Sequence, residues 1–367
     1  MNPYFSERRG GVDRRILGLG RALAEAGHTV TGVSGAYEHT PAESESRGVR
    51  VRRLPASLYD AAAYEPPFLT AEGFARALEG DPCDALDIHY MWTPDYTRSA
   101  RRLRKGTPVV FTVHNSFARG EGAEGRAAYI SDSVLKFFLR NCDLAVCVTD
   151  FIRRDLRGRG IPLSKLRVVP NGIAPTSDDE LAKLRAAPRL VKGPYAAFAG
   201  RIERTKGLDS LVEAARDLKA PLKFVVMGAG PELESLQAQA QAFKVEERFA
   251  FEGYVAEARK RQLLAQAEFF VYPATFEPSG LTVLEALDLG CPVLSTSVGG
   301  IPEVAGEAAR LLPPGDADGL GRALNEFALD GALRKSLSRE ARSRSERFAW
   351  PKVAKEMEAA LGEVAGP

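Results

Sequence analysis

Two acids and two cations stand where their types and spacing could do chemistry. Glu277 follows the apolar run Phe269-Phe270-Val271-Tyr272-Pro273 and precedes Pro278-Ser279-Gly280. Glu285 comes eight residues later, among Leu281, Val283, Leu284, Ala286 and Leu287. The pattern reads strand, loop, helix, with one carboxylate in the loop and one in a largely buried helix. Open α/β sheets bind ligands in the crevice beyond the carboxyl ends of their strands, which is where Glu277 falls. The N–H groups that open the helix can meet hydroxyls or phosphate oxygens. Arg201 and Lys206 follow a second apolar run, Tyr195 to Gly200, and a helix begins near Leu208. An Arg fork, a Lys point charge and a helix N-terminus together suit a diphosphate. A pair of acids at this spacing is common by chance, and a basic loop alone can be solvated surface. Their combination at strand ends gives them weight.

Three further features share that placement. Gly228-Ala229-Gly230 ends another strand and lets backbone approach a nucleotide, although Pro231-Glu232 and then Leu233 depart from a dinucleotide fingerprint. Gly10-Gly11 precedes an amphipathic helix, so a loop there can come close to a ligand with helix N–H groups behind it. His114 ends the strand Pro108 to Val113, at the ligand-facing edge of a parallel sheet. A single histidine is more often structural; the strand end favours a role. Gly18-x-Gly20 lies inside a helix and lacks the third glycine, so it is no fingerprint.

The elements that must position these residues alternate. The first helix carries Ile16, Leu17, Leu19, Leu23 and Ala24 on one face, with Arg14, Arg15, Arg21 and Glu25 off it. Strands are expected at 28–33, 49–54, 85–90, 109–114, 144–149 and 166–169, then again at 195–200, 222–227, 249–253, 269–272, 292–295 and 309–312. Strand-helix alternation implies parallel sheets covered by helices on both faces. The length of 367 residues fits two such domains. We expect residues 1–175 as the first domain, 176–194 as a polar linker, 195–342 as the second domain and 343–367 as C-terminal helices, the last crossing back to the first domain.

Composition excludes several classes. A formal charge of +2 makes no case for nucleic acid. Residues 1–175 hold 25 Lys and Arg against 20 Asp and Glu, and residues 176–367 hold 25 against 28. The basic cluster Arg98, Arg101, Arg102, Arg104 and Lys105 is a candidate for peripheral contact with an anionic membrane face, against the plainer reading of a solvated helix. The four cysteines form no C-x-x-C pair and fit reduced thiols in a cytoplasmic protein. His28, His39, His89 and His114 are scattered, so no metal site is expected. No apolar run of spanning length occurs.

Taken in order, these motifs resemble those of retaining glycosyltransferases of the GT-B fold, in the sucrose-synthase-like and mannosyltransferase-like family (family 4, group 1). The likeness spans nearly the whole chain and is most specific from Gly200 to Glu303. It implies two Rossmann-like, doubly wound α/β domains facing a central cleft. It implies a retaining hexosyltransferase that uses a UDP-, GDP- or ADP-sugar, with a glycan, lipid-linked or small-molecule acceptor, and no metal or cofactor. Glu277 and Glu285 match the ends of the family's E-x7-E motif. Glu277, with Ser279 and the N–H groups near Gly280 and Leu281, would hold the sugar, and Glu285 the ribose. Arg201 and Lys206 match the diphosphate pair, and Gly10-Gly11 the loop over the phosphates. Gly228 would face the nucleotide, Tyr254 and Val255 its base, and His114 the reacting sugar. A sugar-nucleotide epimerase, a phosphorylase or a silent nucleotide-sugar-binding module are the alternatives on this architecture. Two departures stand out. Met1 falls almost on the segment that follows the family's first strand, so that strand is expected to be missing or reduced to Asn2–Phe5. Ser279 stands where an aromatic residue is common, which bears on donor choice.

Overall fold

The structure is a computed structural model that describes residues 11–35, 41–54, 56–58, 67–69, 83–89, 107–115, 139 and 142–365. Gly10, Asn2–Phe5 and the cluster from Arg98 to Lys105 lie outside the described residues. The chain divides into two compact units, residues 1–172 with 350–367, and residues 173–349.

In the first unit, α1 (Gly11–Glu25) leads into β1 (Val30–Gly35). β1 pairs in parallel with β3 (Val49–Leu54), and β3 pairs antiparallel with β2 (Glu43–Ser46). β2 is an addition to the expected strands: its sequence is all Glu and Ser. It forms because β3 offers alternating Arg50 and Arg52, and Arg50 Nη2 reaches Glu43 Oε1 at 3.2 Å. Two short strands, β4 (Ala56–Leu58) and β5 (Pro67–Leu69), pair with each other. β6 (Leu86–Ile88), β7 (Val109–Val113), β8 (Leu144–Cys147) and β9 (Leu166–Val168) then form a parallel sheet in that order. α2 (Asp150–Gly158) connects β8 to β9 and is capped by Thr149, whose hydroxyl accepts from the Ile152 N–H.

The second unit holds the six-stranded sheet. α3 (Asp178–Ala186) opens it, within the 176–194 stretch; Ser177 caps it and Leu181 anchors it in the core. The strands are β10 (Tyr195–Ala199), β11 (Lys223–Met227), β12 (Phe249–Gly253), β13 (Phe269–Tyr272), β14 (Val293–Thr296) and β15 (Ala309–Leu312). They run in the order β12-β11-β10-β13-β14-β15, all parallel. Between them lie α4 (Leu208–Ala214), α5 (Leu233–Ala242), α6 (Glu257–Gln266), α7 (Leu281–Asp288) and α8 (Ile301–Ala305). α9 (Ala317–Leu329) and α10 (Gly331–Ser345) follow. Every residue of β10, β13 and β14 is buried, which is why β10 and β13 read as unbroken apolar runs. The strand order reverses between β10 and β13. Loops leaving those two strands on opposite sides open a crevice at their carboxyl ends.

The chain returns to the first unit as α11 (Trp350–Ala365), which packs on α1. Val353, Ala354 and Met357 share a core with Leu19 and Ala22 of α1 and with Val110, Leu144 and Val146 of the sheet. His28 meets Glu358 at 2.7 Å, and the Arg167 guanidinium grips Glu363 through two nitrogens. This packing corrects the one-faced reading of α1. Ile16 and Leu17 pack toward Val49 and Val51, while Leu19 and Ala22 pack toward α11. Arg15, expected in solvent, is 1% exposed and donates to the Pro170 carbonyl and to Asn171 Oδ1. A helix covered on two sides leaves too narrow a wet face for all its arginines.

Candidate functional site

The crevice of the second unit gathers most of the expected residues. Arg201 and Lys206 lie on the loop after β10, and Glu277, Ser279 and Gly280 on the loop after β13, which are the two strands flanking the reversal. These loops are tied directly: the Thr275 and Phe276 N–H groups donate to the Thr205 carbonyl at 2.9 and 3.2 Å. Gly207 sits at φ 63° against the Pro273 carbonyl, where any side chain would collide, so glycine is what lets the loops close up.

Glu277 is the centre of this arrangement. It is 8% exposed, and both oxygens are occupied. Oε2 accepts from Lys206 Nζ at 3.0 Å and from the Tyr272 hydroxyl at 2.7 Å. Oε1 accepts from the Gly280 N–H at 3.0 Å, the Ser279 N–H at 3.2 Å and the Ser279 hydroxyl at 3.1 Å. Burial works to raise its pKa, but Lys206, Tyr272 and the Gly280 N–H together hold it below the ordinary 4.5, so it is ionised. Burial and then Glu277 push the Tyr272 hydroxyl well above its ordinary value, so it stays a donor. The Lys206 ammonium also lies 5.8 Å from the Tyr272 ring centroid.

The cations are therefore balanced, which counting them in sequence does not reveal. Lys206 has Glu203 at 3.7 Å as well as Glu277. Arg201 has Glu203 at 3.6 Å, and its side chain is 62% exposed. Two carboxylates face two cations before any anion arrives. The Gly280 N–H, expected to serve a ligand, is engaged by Glu277 itself, as is the Ser279 N–H. Gly280 takes φ 66° as the N-cap of α7, a left-handed turn that swings its N–H back to the carboxylate. Leu281 begins α7 and packs on the core.

Glu285, one turn into α7, is 8% exposed and meets Lys260 Nζ of α6 at 2.9 Å. Lys260 also reaches Glu257 at 2.9 Å. Tyr254 and Val255 join β12 to α6, so Lys260 links their segment to Glu285. Tyr254 is 79% exposed, and Val255 packs on the core. Gly228 follows β11; a side chain there would strike the Gly200 carbonyl, so loop packing alone accounts for the glycine.

In the first unit, Gly11 is the first residue of α1. His114 follows β7 and meets His89 at 3.0 Å between His114 Nε2 and His89 Nδ1. His89 Nε2 meets Asp87 Oδ2 at 3.0 Å. Sequence reasoning singled out His114 and missed His89, Asp87, Tyr272, Glu203 and Lys260. A signal was present for the histidines: Asp87-Ile88-His89 and Thr112-Val113-His114 repeat a polar-apolar-His ending on two strands. Lys206–Glu277 and Lys260–Glu285 join residues far apart in the chain, and no local pattern marks them. Among the described residues no group of three or more His, Cys, Asp and Glu is arranged to hold a metal ion. No helix among them is long and apolar enough to cross a membrane.

Two family descriptions match this chain, "Glycosyltransferase Family 4" over residues 9–177 and "Glycosyl transferases group 1" over residues 182–344. The chain belongs to this glycosyltransferase family. A relative in Xylanimonas cellulosilytica, a D-inositol 3-phosphate glycosyltransferase, is 28% identical over 95% of this chain and 90% of its own. Among solved structures, sucrose-phosphate synthase from Thermosynechococcus elongatus superposes with a TM-score of 0.81 at 23% identity, over 96% of this chain and 93% of its own. HepE from Anabaena, solved with UDP and glucose, gives 0.76 at 17% identity over 97% of both chains. This glycosyltransferase thus has the fold of GT-B enzymes, built from parallel α/β sheets.

Proposed function

We propose that this glycosyltransferase moves a hexose from a nucleoside-diphosphate sugar to an acceptor hydroxyl, with retention of configuration and without a metal. The acceptor is a glycan, a lipid-linked sugar or a small molecule. The observation that carries the reading is the Lys206–Glu277–Tyr272 cluster at the strand-order reversal, with Arg201 beside it. The anomeric carbon–oxygen bond to the diphosphate breaks, and the acceptor oxygen bonds the same face of that carbon. The acceptor proton goes to the departing phosphate oxygen. Negative charge then grows on the diphosphate, where Arg201, Lys206 and the start of α4 stabilise it. The anion draws Lys206 and Arg201 away from their carboxylates, which couples donor binding to the state of Glu203 and Glu277. Glu277 orients sugar hydroxyls, Glu285 meets the ribose and Tyr254 and Val255 meet the base. His114 meets a substrate hydroxyl. Glu277 is a positioner here, with no covalent role; two-carboxylate glycosidase chemistry does not apply.

UDP bound to HepE makes UDP the first nucleotide to try. Thermal shifts with UDP, GDP and ADP, each with and without EDTA, identify the base, because a ligand that binds the native state raises its melting point. One nucleotide should stand out, unaffected by EDTA, and Lys206→Ala should abolish its shift. Proton NMR of the product's anomeric signal then reads the stereochemistry. No shift with any nucleotide, or an inverted product, defeats the proposal.

A further inference from the structure

The histidine that follows β7 is held by its neighbours in a way the proposed reaction does not use. β6 and β7 run parallel, with Asp87 opposite Val110 and Ile88 opposite Phe111. Side chains two apart on a strand share a face, so Asp87 and His89 project together, as do Thr112 and His114. The Thr112 hydroxyl donates to Asp87 Oδ1 at 2.8 Å and lies 3.0 Å from Oδ2. Asp87 Oδ2 faces His89 Nε2 at 3.0 Å, and His89 Nδ1 faces His114 Nε2 at 3.0 Å. Thr112 is fully buried and His89 nearly so. The four groups form one chain of contacts that leads outward to the edge of the sheet.

We propose that Asp87 and His89 are positioning residues that fix His114 as a neutral imidazole with Nδ1 presented as a hydrogen-bond acceptor to a substrate hydroxyl. The proton positions follow by elimination. An ionised carboxylate only accepts, so His89 Nε2 carries a proton. Burial, with Arg15 of α1 adding positive charge nearby, keeps His89 uncharged although Asp87 pulls the other way. Its Nδ1 is then a lone pair, and His114 Nε2 must donate to it. Burial, then His89 and Arg15, lower the His114 pKa well below 6.5, so His114 is neutral as well. That leaves the lone pair on Nδ1, which has no hydrogen bond among the described residues. An imidazole fixed in one orientation and one tautomer loses no freedom when substrate arrives, which is the use of such supporting contacts.

What meets that lone pair rests on the glycosyltransferase reading; the proton arrangement does not. The test separates them. Nitrogen-15 NMR of the histidine-labelled full chain at pH 7 should show His114 with a protonated Nε2 and a bare Nδ1. In Asp87→Asn the amide oxygen takes the place of Oδ1 and accepts from the Thr112 hydroxyl, and the amide nitrogen faces His89 Nε2. Both histidines should then exchange tautomers, moving the His114 proton to Nδ1. His89→Leu should leave His114 with mixed tautomers and allow it to titrate nearer 6.5. His89→Asn, whose side-chain oxygen stands near the original Nδ1, should restore the wild-type pattern. With UDP-glucose as the probe, His89→Leu should lower kcat at least tenfold with donor KM within threefold, and His89→Asn should stay within threefold of wild type. Wild-type His114 protonated on Nδ1 or charged at pH 7 overturns the relay, and so do unchanged His114 signals in both Asp87→Asn and His89→Leu. The expected spectra without UDP-glucose turnover support the relay and count only against UDP-glucose as the donor.

Discussion

Replacing Glu277 by Gln tests whether the crevice is held by charge or by shape. The change keeps the side chain's size and the acceptor facing Ser279 and Gly280, but sets an amide nitrogen against Lys206, 3.0 Å away. Breaking a buried ion pair from one side costs about 3–5 kcal/mol. Glu203 remains 3.7 Å from Lys206 and softens the loss, which puts the expectation near the lower limit, about 3 kcal/mol. For a unit of this size, about 2–4 °C of Tm is lost per kcal/mol, hence a fall of roughly 6–12 °C. The sign with pH is fixed by the depressed pKa of Glu277. A carboxylate held below 4.5 contributes its stability above that pH and loses it as pH falls through the folded value. The gap between wild type and Glu277→Gln should therefore be full at pH 7 and shrink on acidification below pH 4.5. Lys206→Met completes a double-mutant cycle, in which the double variant should be less damaged than the two single changes summed. Calorimetry and urea titration of the ligand-free chain measure all four proteins. A fall under 2 °C for Glu277→Gln, or a coupling under about 0.5 kcal/mol, would refute the charge argument.

Other expectations follow from packing and burial. A methyl group added at Gly172 or at Gly18 would overlap the Trp350 indole, so Gly172→Ala and Gly18→Ala should each destabilise the first unit by about 1–3 kcal/mol. Adding Trp350→Leu should relieve most of that loss in urea denaturation; equal loss with and without Trp350 contradicts the clash. Burial raises the Cys147 thiol to about 12 and raises the Cys291 thiol too, while Cys83 is exposed. Iodoacetamide at pH 8 should modify Cys83 within minutes and leave Cys147 and Cys291 intact until urea unfolds the chain, as read by peptide mass spectrometry. Early labelling of Cys291 would show that the turn between α7 and β14 opens in the native state.

The sequence by itself determined β10 and β13, because strands buried on both faces read as apolar throughout and need no partner to be recognised. It also determined where the loops with Arg201, Lys206 and Glu277 begin, since Gly and Pro interrupt the apolar runs there. Glu43–Ser46 escaped because a charged edge strand has no apolar face, and only the arginines of β3 make it one. Arg15 was misplaced because helical periodicity reports one wet face, whereas α11 arrives from the far end of the chain to cover a second. Tertiary structure alone decided how the charges pair. Lys206 finds Glu277, Lys260 finds Glu285, and His89 finds His114, because the β10–β13 neighbourhood, the α6–α7 approach and the β6–β7 ladder bring them together. Ion pairs and hydrogen bonds depend on separations of about 3 Å. Local sequence sets which groups are available along each element, and only the packing of elements sets those separations.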